Sequence, residues 1–351
     1  MQQLTVAVLG AGGLVAQRLQ QRLVNHPWFE LAAVAGSPRH LGASLEDVPW
    51  LLSEKRPTLP PLTVVDVSNP QTVHGLAEAG VSVAFSALPS EEAKHIEPMW
   101  VKAGIRVFSN ASTYRRTEGV PFVIPELNPE ALVEQSSGQL RHACATNCTL
   151  VPLILPLAAL NKAYGLQRYT MRSEQGLSGG GHAYMEQAIE QGNVHPSIPG
   201  EAEKTEAELS HILGWHGEAS LRCERIMRPD GHHVFVEAMF ASEVNVEDVH
   251  ETLSAWSQAH RMNHLPSAPH QPLVLTPTID VNAHLFADGI GFPQSPNPAI
   301  ERAAGMAVVV ANLQCKTPNL VSFEAFSHNT IRGAAGGVLL LAELAHSMDL
   351  L

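Results

Sequence analysis

The stretch GAGGLVA, residues 10–16, constrains this chain more than any other feature, because it sits between a β-branched run, LTVAVLG, and a helical run, Leu14–Val24. Gly10, Gly13 and Ala16 stand at G-x-x-G-x-x-A spacing, and Gly12 adds further backbone freedom. Glycines at such a junction let the chain turn tightly and bring main-chain amides, at a helix N-terminus, up to a pyrophosphate. The strand–turn–helix context gives an otherwise weak motif its meaning and predicts dinucleotide binding. The rhythm then continues. FELAAVAG, LTVVDV, VSVAFSAL and IRVFSN read as strands, and Gln71–Glu78 and Glu91–Ala103 as helices. That alternation predicts an α/β fold: a parallel sheet covered by helices, a Rossmann-type domain over residues 1–147.

The end of the second strand distinguishes the two nicotinamide dinucleotides. NAD-binding chains usually place a carboxylate there for the ribose 2′-hydroxyl, whereas this one reads AGSPRHLG, with Ser37 and Arg39. A hydroxyl and a guanidinium suit a 2′-phosphate that a carboxylate would repel, so NADP is the expected cofactor. The competing reading is an ordinary polar loop with a surface arginine.

Beyond residue 148 the pattern changes. A long helix over 149–163 leads to QRYTMRSEQ, a glycine cluster and two helical stretches. Longer strand candidates follow: LRCERIMRP, HVFVEAMFAS, LVLTPTI, MAVVVANLQ and LVSFEAFS. Their succession predicts an α+β domain with a mixed sheet over residues 148–329, and an apolar helix at about 330–351 expected to return onto the first domain. A length of 351 residues suits two cores, since one core seldom grows past roughly 250–300 residues. The net charge of −12 argues against nucleic acid or an anionic membrane as partner, though not against a small anion met by local arginines. No apolar run approaches the ~20 residues of a membrane span. The opening MQQLTVAVLG lacks the basic region and cleavage site of a signal peptide, so a cytoplasmic protein is expected.

The four cysteines, Cys144, Cys148, Cys223 and Cys315, are too sparse for a disulfide framework. Cys144 and Cys148 have no second pair at zinc-ligand spacing, and no metal is expected. Cys148 precedes the long apolar helix. The helix dipole would lower its pKa from the ordinary ~8.5, and exposed amides there would offer an oxyanion hole. A cysteine at a helix start is, taken alone, more often packing. Partners change that balance. RIMRPDGHHVFV offers Arg225, His232 and His233, and since adjacent strand residues face opposite ways, only one histidine faces a given site. Such a histidine would act as general base and acid. SEQGLSGGGH places Gln175 beside a flexible glycine turn.

A cysteine after asparagine at a helix start, a glutamine before S-G-G-G, and R-x6-H together resemble aspartate-β-semialdehyde dehydrogenase. FSALPSEEA, FSNASTYR, VPFVIPELNP and SHNTIRGAAGG resemble segments of its archaeal/fungal-type branch, so the likeness runs along nearly the whole chain. The resemblance implies NADPH-dependent reductive dephosphorylation of β-aspartyl phosphate to aspartate semialdehyde and phosphate, on the route to lysine, threonine and methionine. It implies that Cys148 forms a thioester, that His232 rather than His233 is the acid/base, and that Asn147 and Gln175 support the intermediate. Arg225 would hold the substrate carboxylate, Arg115 the phosphoryl group, and Glu201 and Lys204 would assist binding. Gly10, Gly12, Gly13, Ala16, Ser37, Arg39, Ser86, Ser178, Gly179 and Asn329 occupy the family's cofactor positions. A homodimer or dimer of dimers is implied as well. The chain departs from the family pattern at Thr146, where Pro or Gly is expected, at His211, where Lys is usual, and in the polar MRSEQ. The alternatives are a reductase of malonyl-CoA or N-acetyl-γ-glutamyl phosphate, and a non-catalytic NADP-binding paralogue.

Overall fold

The computed structural model describes residues 3–136 and 139–351. Its first sheet comprises β1 (Leu4–Leu9), β2 (Phe29–Gly36), β3 (Val65–Asp66), β4 (Val83–Ser86), β5 (Arg106–Ser109) and β6 (His142–Cys144). All are parallel, in the order β3-β2-β1-β4-β5-β6. Helices α1 (Leu14–Leu23), α2 (Pro70–Glu78), α3 (Ser90–Lys102) and the short α4 (Ala131–Glu134) connect the strands or follow them. This is the doubly wound fold that the alternation predicts. Central strands of such a sheet are covered on both faces and read as continuous apolar runs, as VAFS of β4 does, with every residue buried. The strand order reverses between β1 and β4, and ligands of such sheets sit in the crevice at the carboxyl ends of those strands.

The second sheet has the order β10-β11-β12-β9-β7-β8 and is mixed, as expected. Its strands are β7 (Leu166–Gln175), β8 (Glu218–Arg225), β9 (His232–Phe240), β10 (Leu273–Leu275), β11 (Val308–Thr317) and β12 (Leu320–Ser327). β7–β8 and β10–β11 run parallel, the other pairs antiparallel. The polar QRYTMRSEQ is itself β7, and its alternation explains its composition: Ser173 and Gln175 are buried, while Arg172 and Glu174 pair at 2.7 Å on the open face. Helices α5 (Leu150–Tyr164), α6 (His182–Gln191), α7 (Glu201–Leu213) and α8 (Val246–Ala259) complete this half. Helix α5 is apolar all round because it is enclosed all round, packed against α7, α8, β9, β11 and β12.

The segment after β12 is not one continuous helix. Ile331–Ala335 form a π-helical turn, with Gly333 N–H donating to His328 O and Ala335 N–H to Thr330 O, both at 3.1 Å. Only then does α9 (Gly336–Ser347) begin, and it lies against α1 and β5. Its Glu343 is wholly buried: one carboxylate oxygen lies 2.9 Å from His26 Nε2, and the other accepts from the Ser267 main chain at 2.9 Å. His26 Nδ1 in turn accepts from the amides of Trp28 and Phe29, so one carboxylate ties α9 to the α1–β2 corner. Glu343→Ala leaves these donors buried without an acceptor. A loss of about 3–5 kcal/mol of stability is expected, read from the urea-unfolding midpoint. A change below about 1 kcal/mol would show that the cluster does not hold the corner.

Candidate active site

At the mouth of the first sheet, β1 ends and the chain turns at Gly10, whose φ of 106° lies where only glycine is unstrained. Ala16 packs 3.6 Å from where a β-carbon on Gly10 would stand. Helix α1 starts with Gly13 as N-cap and no capping side chain, so its first amides remain available to an anion. The loop after β2 carries Ser37 and Arg39 exposed to solvent, and its His40 covers the turn: a β-carbon on Gly12 would come 2.8 Å from His40 Nε2. Ser86, at the carboxyl end of β4, is fully buried, and its Oγ has no partner among the described residues. An uncapped helix start, an unpartnered hydroxyl and a cationic loop together fit the phosphates of a dinucleotide.

The second half of the site follows from β7. It pairs with β8 on one side and β9 on the other so that Gln175 lies opposite both Arg225 and His232. One row across the sheet therefore presents Arg225, Gln175 and His232 side by side. Cys148 Sγ lies 3.1 Å from His232 Nε2. His233, one residue on, faces away and pairs with Glu324 at 2.9 Å. The glycine turn closes over this row. A β-carbon on Gly179 would come 2.6 Å from Arg225 Nη1 and 3.2 Å from the His232 ring, so a larger residue there would displace the Arg225 guanidinium and press on the imidazole. Arg225 Nη1 donates to Gly176 O at 2.7 Å. Ser178 and Asn329 are brought together, but are engaged with one another. Asn329 donates to Ser178 Oγ (2.8 Å), Ser178 donates to Asp230 (2.7 Å), and Asn329 Oδ1 accepts from Gly231 N–H (2.7 Å). Their side chains brace the turn that leads into His232.

Around the cysteine, Asn147 Oδ1 accepts from the amides of Thr149 (2.9 Å) and Leu150 (2.8 Å). This corrects the expectation of an oxyanion hole at the helix start: those amides are already capped. Glu201 is buried, accepts from Thr149 Oγ1 at 3.0 Å and pairs with Lys204. Glu201 thus borders the cysteine turn, with the partly exposed Lys204 beside it. Arg115 is buried and donates to Glu208 (2.7 Å) and to Asn110 O (2.6 Å). Sequence reasoning missed Glu208, which also accepts from Asn147, and Gly333, where a β-carbon would stand 2.5 Å from Cys148 Cβ. A signal for Glu208 exists. Glu201, Thr205 and Glu208 share i, i+4, i+7 spacing, and all three are buried on one face of α7. Nothing local marks Gly333. Its requirement comes from the π-turn meeting a residue far away in sequence. Thr146 is buried, and His211, exposed, lies by Phe122 with ring centroids 5.7 Å apart.

Electrostatics also differ from the sequence reading. Burial pushes the Cys148 thiol up to about 11, with Glu201 adding to the effect against Lys204, Arg225 and Arg115. Burial, then the Arg225 charge, bring His232 down to about 3. The pair therefore rests as neutral thiol and neutral imidazole, and the helix dipole does not lower the thiol below its usual range. Cys144 is a fully buried packing residue, its thiol pushed up by burial. The thiolate of Cys148 is lost as pH falls below its raised pKa. In the unliganded protein its alkylation by iodoacetamide is therefore expected to climb about tenfold per pH unit between about pH 6 and about pH 9, followed by mass spectrometry of the Cys148 peptide. A plateau across that range would reveal a preformed thiolate–imidazolium pair and refute the assignment.

Residues 5–135 match the family model described as semialdehyde dehydrogenase, NAD binding domain. The aspartate-semialdehyde dehydrogenase of Archaeoglobus fulgidus is 34% identical, with 97% of each chain covered. A protein named malonyl CoA reductase (NADP) from Metallosphaera sedula is 28% identical, covering 97% of this chain and 96% of that one. Among solved structures, aspartate semialdehyde dehydrogenase with NADP from Candida albicans superposes with a TM-score of 0.78 at 28% identity, each chain covered in full. With the curated relative matched from end to end, and the fold shared with that structure, the chain belongs to the aspartate-semialdehyde dehydrogenase family.

Proposed function

We propose that the chain is an NADP-dependent aspartate-semialdehyde dehydrogenase that reductively dephosphorylates β-aspartyl phosphate. The observation that carries this reading is the 3.1 Å approach of Cys148 Sγ to His232 Nε2 beside the Arg225–Gln175–His232 row. His232 serves as base in the tautomer that carries its own proton on Nδ1, with the Gly176 amide turned to Gly231 O (3.0 Å) rather than shared with Nδ1 (3.2 Å), which leaves the Nε2 lone pair for the thiol proton. The sulfur then attacks the acyl carbon, the carbon–oxygen bond to phosphate breaks, and a thioester forms on Cys148. Arg115 and Lys204 meet the departing phosphate, and Arg225, a planar donor, holds the substrate carboxylate. Gln175 and Asn147 keep the thioester and its helix turn in place. A bound NADPH would supply hydride to the thioester carbon; the carbon–sulfur bond then breaks to release the aldehyde, and the proton held at His232 Nε2 returns to the Cys148 sulfur. Gly10, Gly12, Gly13, Ala16 and Ser86 would cradle the dinucleotide, with Ser178, Gly179 and Asn329 shaping the nicotinamide end. Ser37 and Arg39 would face its 2′-phosphate.

The test is cofactor reduction, followed by absorbance, in a mixture of the protein with aspartate semialdehyde, phosphate and NADP. Turnover is expected, faster than with NAD. Cys148→Ser is expected to lower it about a thousandfold or more. No signal here, with NADPH oxidation by malonyl-CoA instead, would assign the chain to that related chemistry; silence in both assays would favour a non-catalytic paralogue.

We further read residues 1–147 as the cofactor domain and 148–329 as the catalytic and dimerisation domain, with 330–351 returning to the first. The face of the second sheet opposite α5 supports a homodimer or dimer of dimers. Arg172 stacks over Phe235 at 4.0 Å there, beside the Lys316–Glu237 pair. Sedimentation equilibrium is expected to show an even number of chains, and Phe235→Glu to reduce it. A wild-type monomer at micromolar concentration would dismiss this assembly. No helix among the described residues is long and apolar enough to cross a membrane.

A further inference from the structure

One carboxylate joins the phosphoryl side of the site to the cysteine side. Glu208 is 2% exposed, on α7. Its Oε1 accepts from Arg115 Nη1 at 2.7 Å, and its Oε2 accepts from both the main-chain N–H and the side-chain amide of Asn147, each at 3.0 Å. Arg115 comes from the loop after β5, whereas Asn147 immediately precedes Cys148. Asn147 passes the constraint on, since its Oδ1 accepts from the first amides of the turn that opens α5. Meanwhile Arg115 Nη2 is held by Asn110 O at 2.6 Å, and its buried Nε has no partner among the described residues. The guanidinium is thus fixed at one end with a donor left over, the condition for meeting an incoming oxyanion in one orientation.

The chemistry of the link requires a carboxylate. Both of its oxygens accept, and each faces a donor. An amide of the same size has one oxygen and one NH2 group, so either Arg115 or Asn147 would meet donor against donor. We propose that Glu208 is a positioning residue that sets the spacing between the Arg115 guanidinium and the Cys148 thiol. Phosphate is then held where the sulfur meets the acyl carbon. This rests on the reading of Arg115 as the phosphoryl-binding group and Cys148 as the nucleophile.

Steady-state kinetics with aldehyde, phosphate and NADP test it on Arg115→Ala, Glu208→Gln and Glu208→Asp, with thermal melting to confirm folding. Arg115→Ala and Glu208→Gln are each expected to raise the KM for phosphate about tenfold or more, leaving the KM for NADP within about twofold. Glu208→Asp keeps both acceptors at shorter reach and is expected to recover part of the phosphate affinity lost in Glu208→Gln. If Arg115→Ala raises the phosphate KM while both Glu208 variants leave it within about twofold, the positioning role is refuted and the reading of Arg115 stands. If Arg115→Ala leaves it unchanged, the reading of Arg115 fails and the positioning role with it. Should Glu208→Gln not fold, Glu208→Asp carries the test. A raised phosphate KM at unchanged NADP KM supports the role, and an unaltered phosphate KM overturns it.

Discussion

The register of β7 between its two neighbours is the constraint on which the rest of the site depends. Parallel pairing with β8 and antiparallel pairing with β9 bring Gln175 opposite Arg225 and His232 at once. Side chains alternate along a strand, so a slip of one residue in β7 would turn Gln175 away from the cysteine, and one in β9 would bring His233 round in place of His232. The register is itself held by burial. Tyr169, Met171, Val234 and Val236 enter the core under α5, while Arg172 and Glu174 stay on the open face. The apolar run that follows Cys148 is therefore the other half of the same device. Helix α5 presses the sheet from behind and carries the thiol at its leading end.

Holding a thiol this firmly has an electrostatic consequence. A helix N-terminus favours a thiolate by about 0.3–1 kcal/mol at exposed sites. Raising the thiol from its ordinary range to about 11 corresponds to roughly 3 kcal/mol in the other direction. Burial outweighs the dipole, all the more because Asn147 has already capped the amides that express it. The thiol and imidazole wait uncharged, with the Lys204, Arg225 and Arg115 cations close enough to act on the thiol.

Motifs that act through their own backbone were legible. GAGGLVA announced a tight turn into a helix N-terminus, and the turn at Gly10 and the helix start at Gly13 are both present. The strand–helix rhythm gave the parallel sheet, and the longer strands after residue 148 gave the mixed one. Distances between segments were not legible from spacing. Glu208 reads as one more acid on an amphipathic helix until Arg115 and Asn147 arrive from elsewhere in the chain to share it. Gly333 looks like a helix residue until the π-turn brings it against Cys148. Likewise Ser178 and Asn329 hydrogen-bond to one another, a contact between residues that lie far apart in the chain.

The sequence by itself determined the two kinds of sheet, the glycine turn at residues 10–16 and the family resemblance, because periodicity and glycine placement act over a few residues. Only the tertiary structure decided that the Cys148–His232 pair rests neutral, that Asn147 caps rather than exposes the helix amides, and that Glu208 joins Arg115 to the cysteine turn. Burial and hydrogen-bond partnership belong to the packed whole. A thiol's desolvation and a carboxylate's two partners exist only once distant segments have come together.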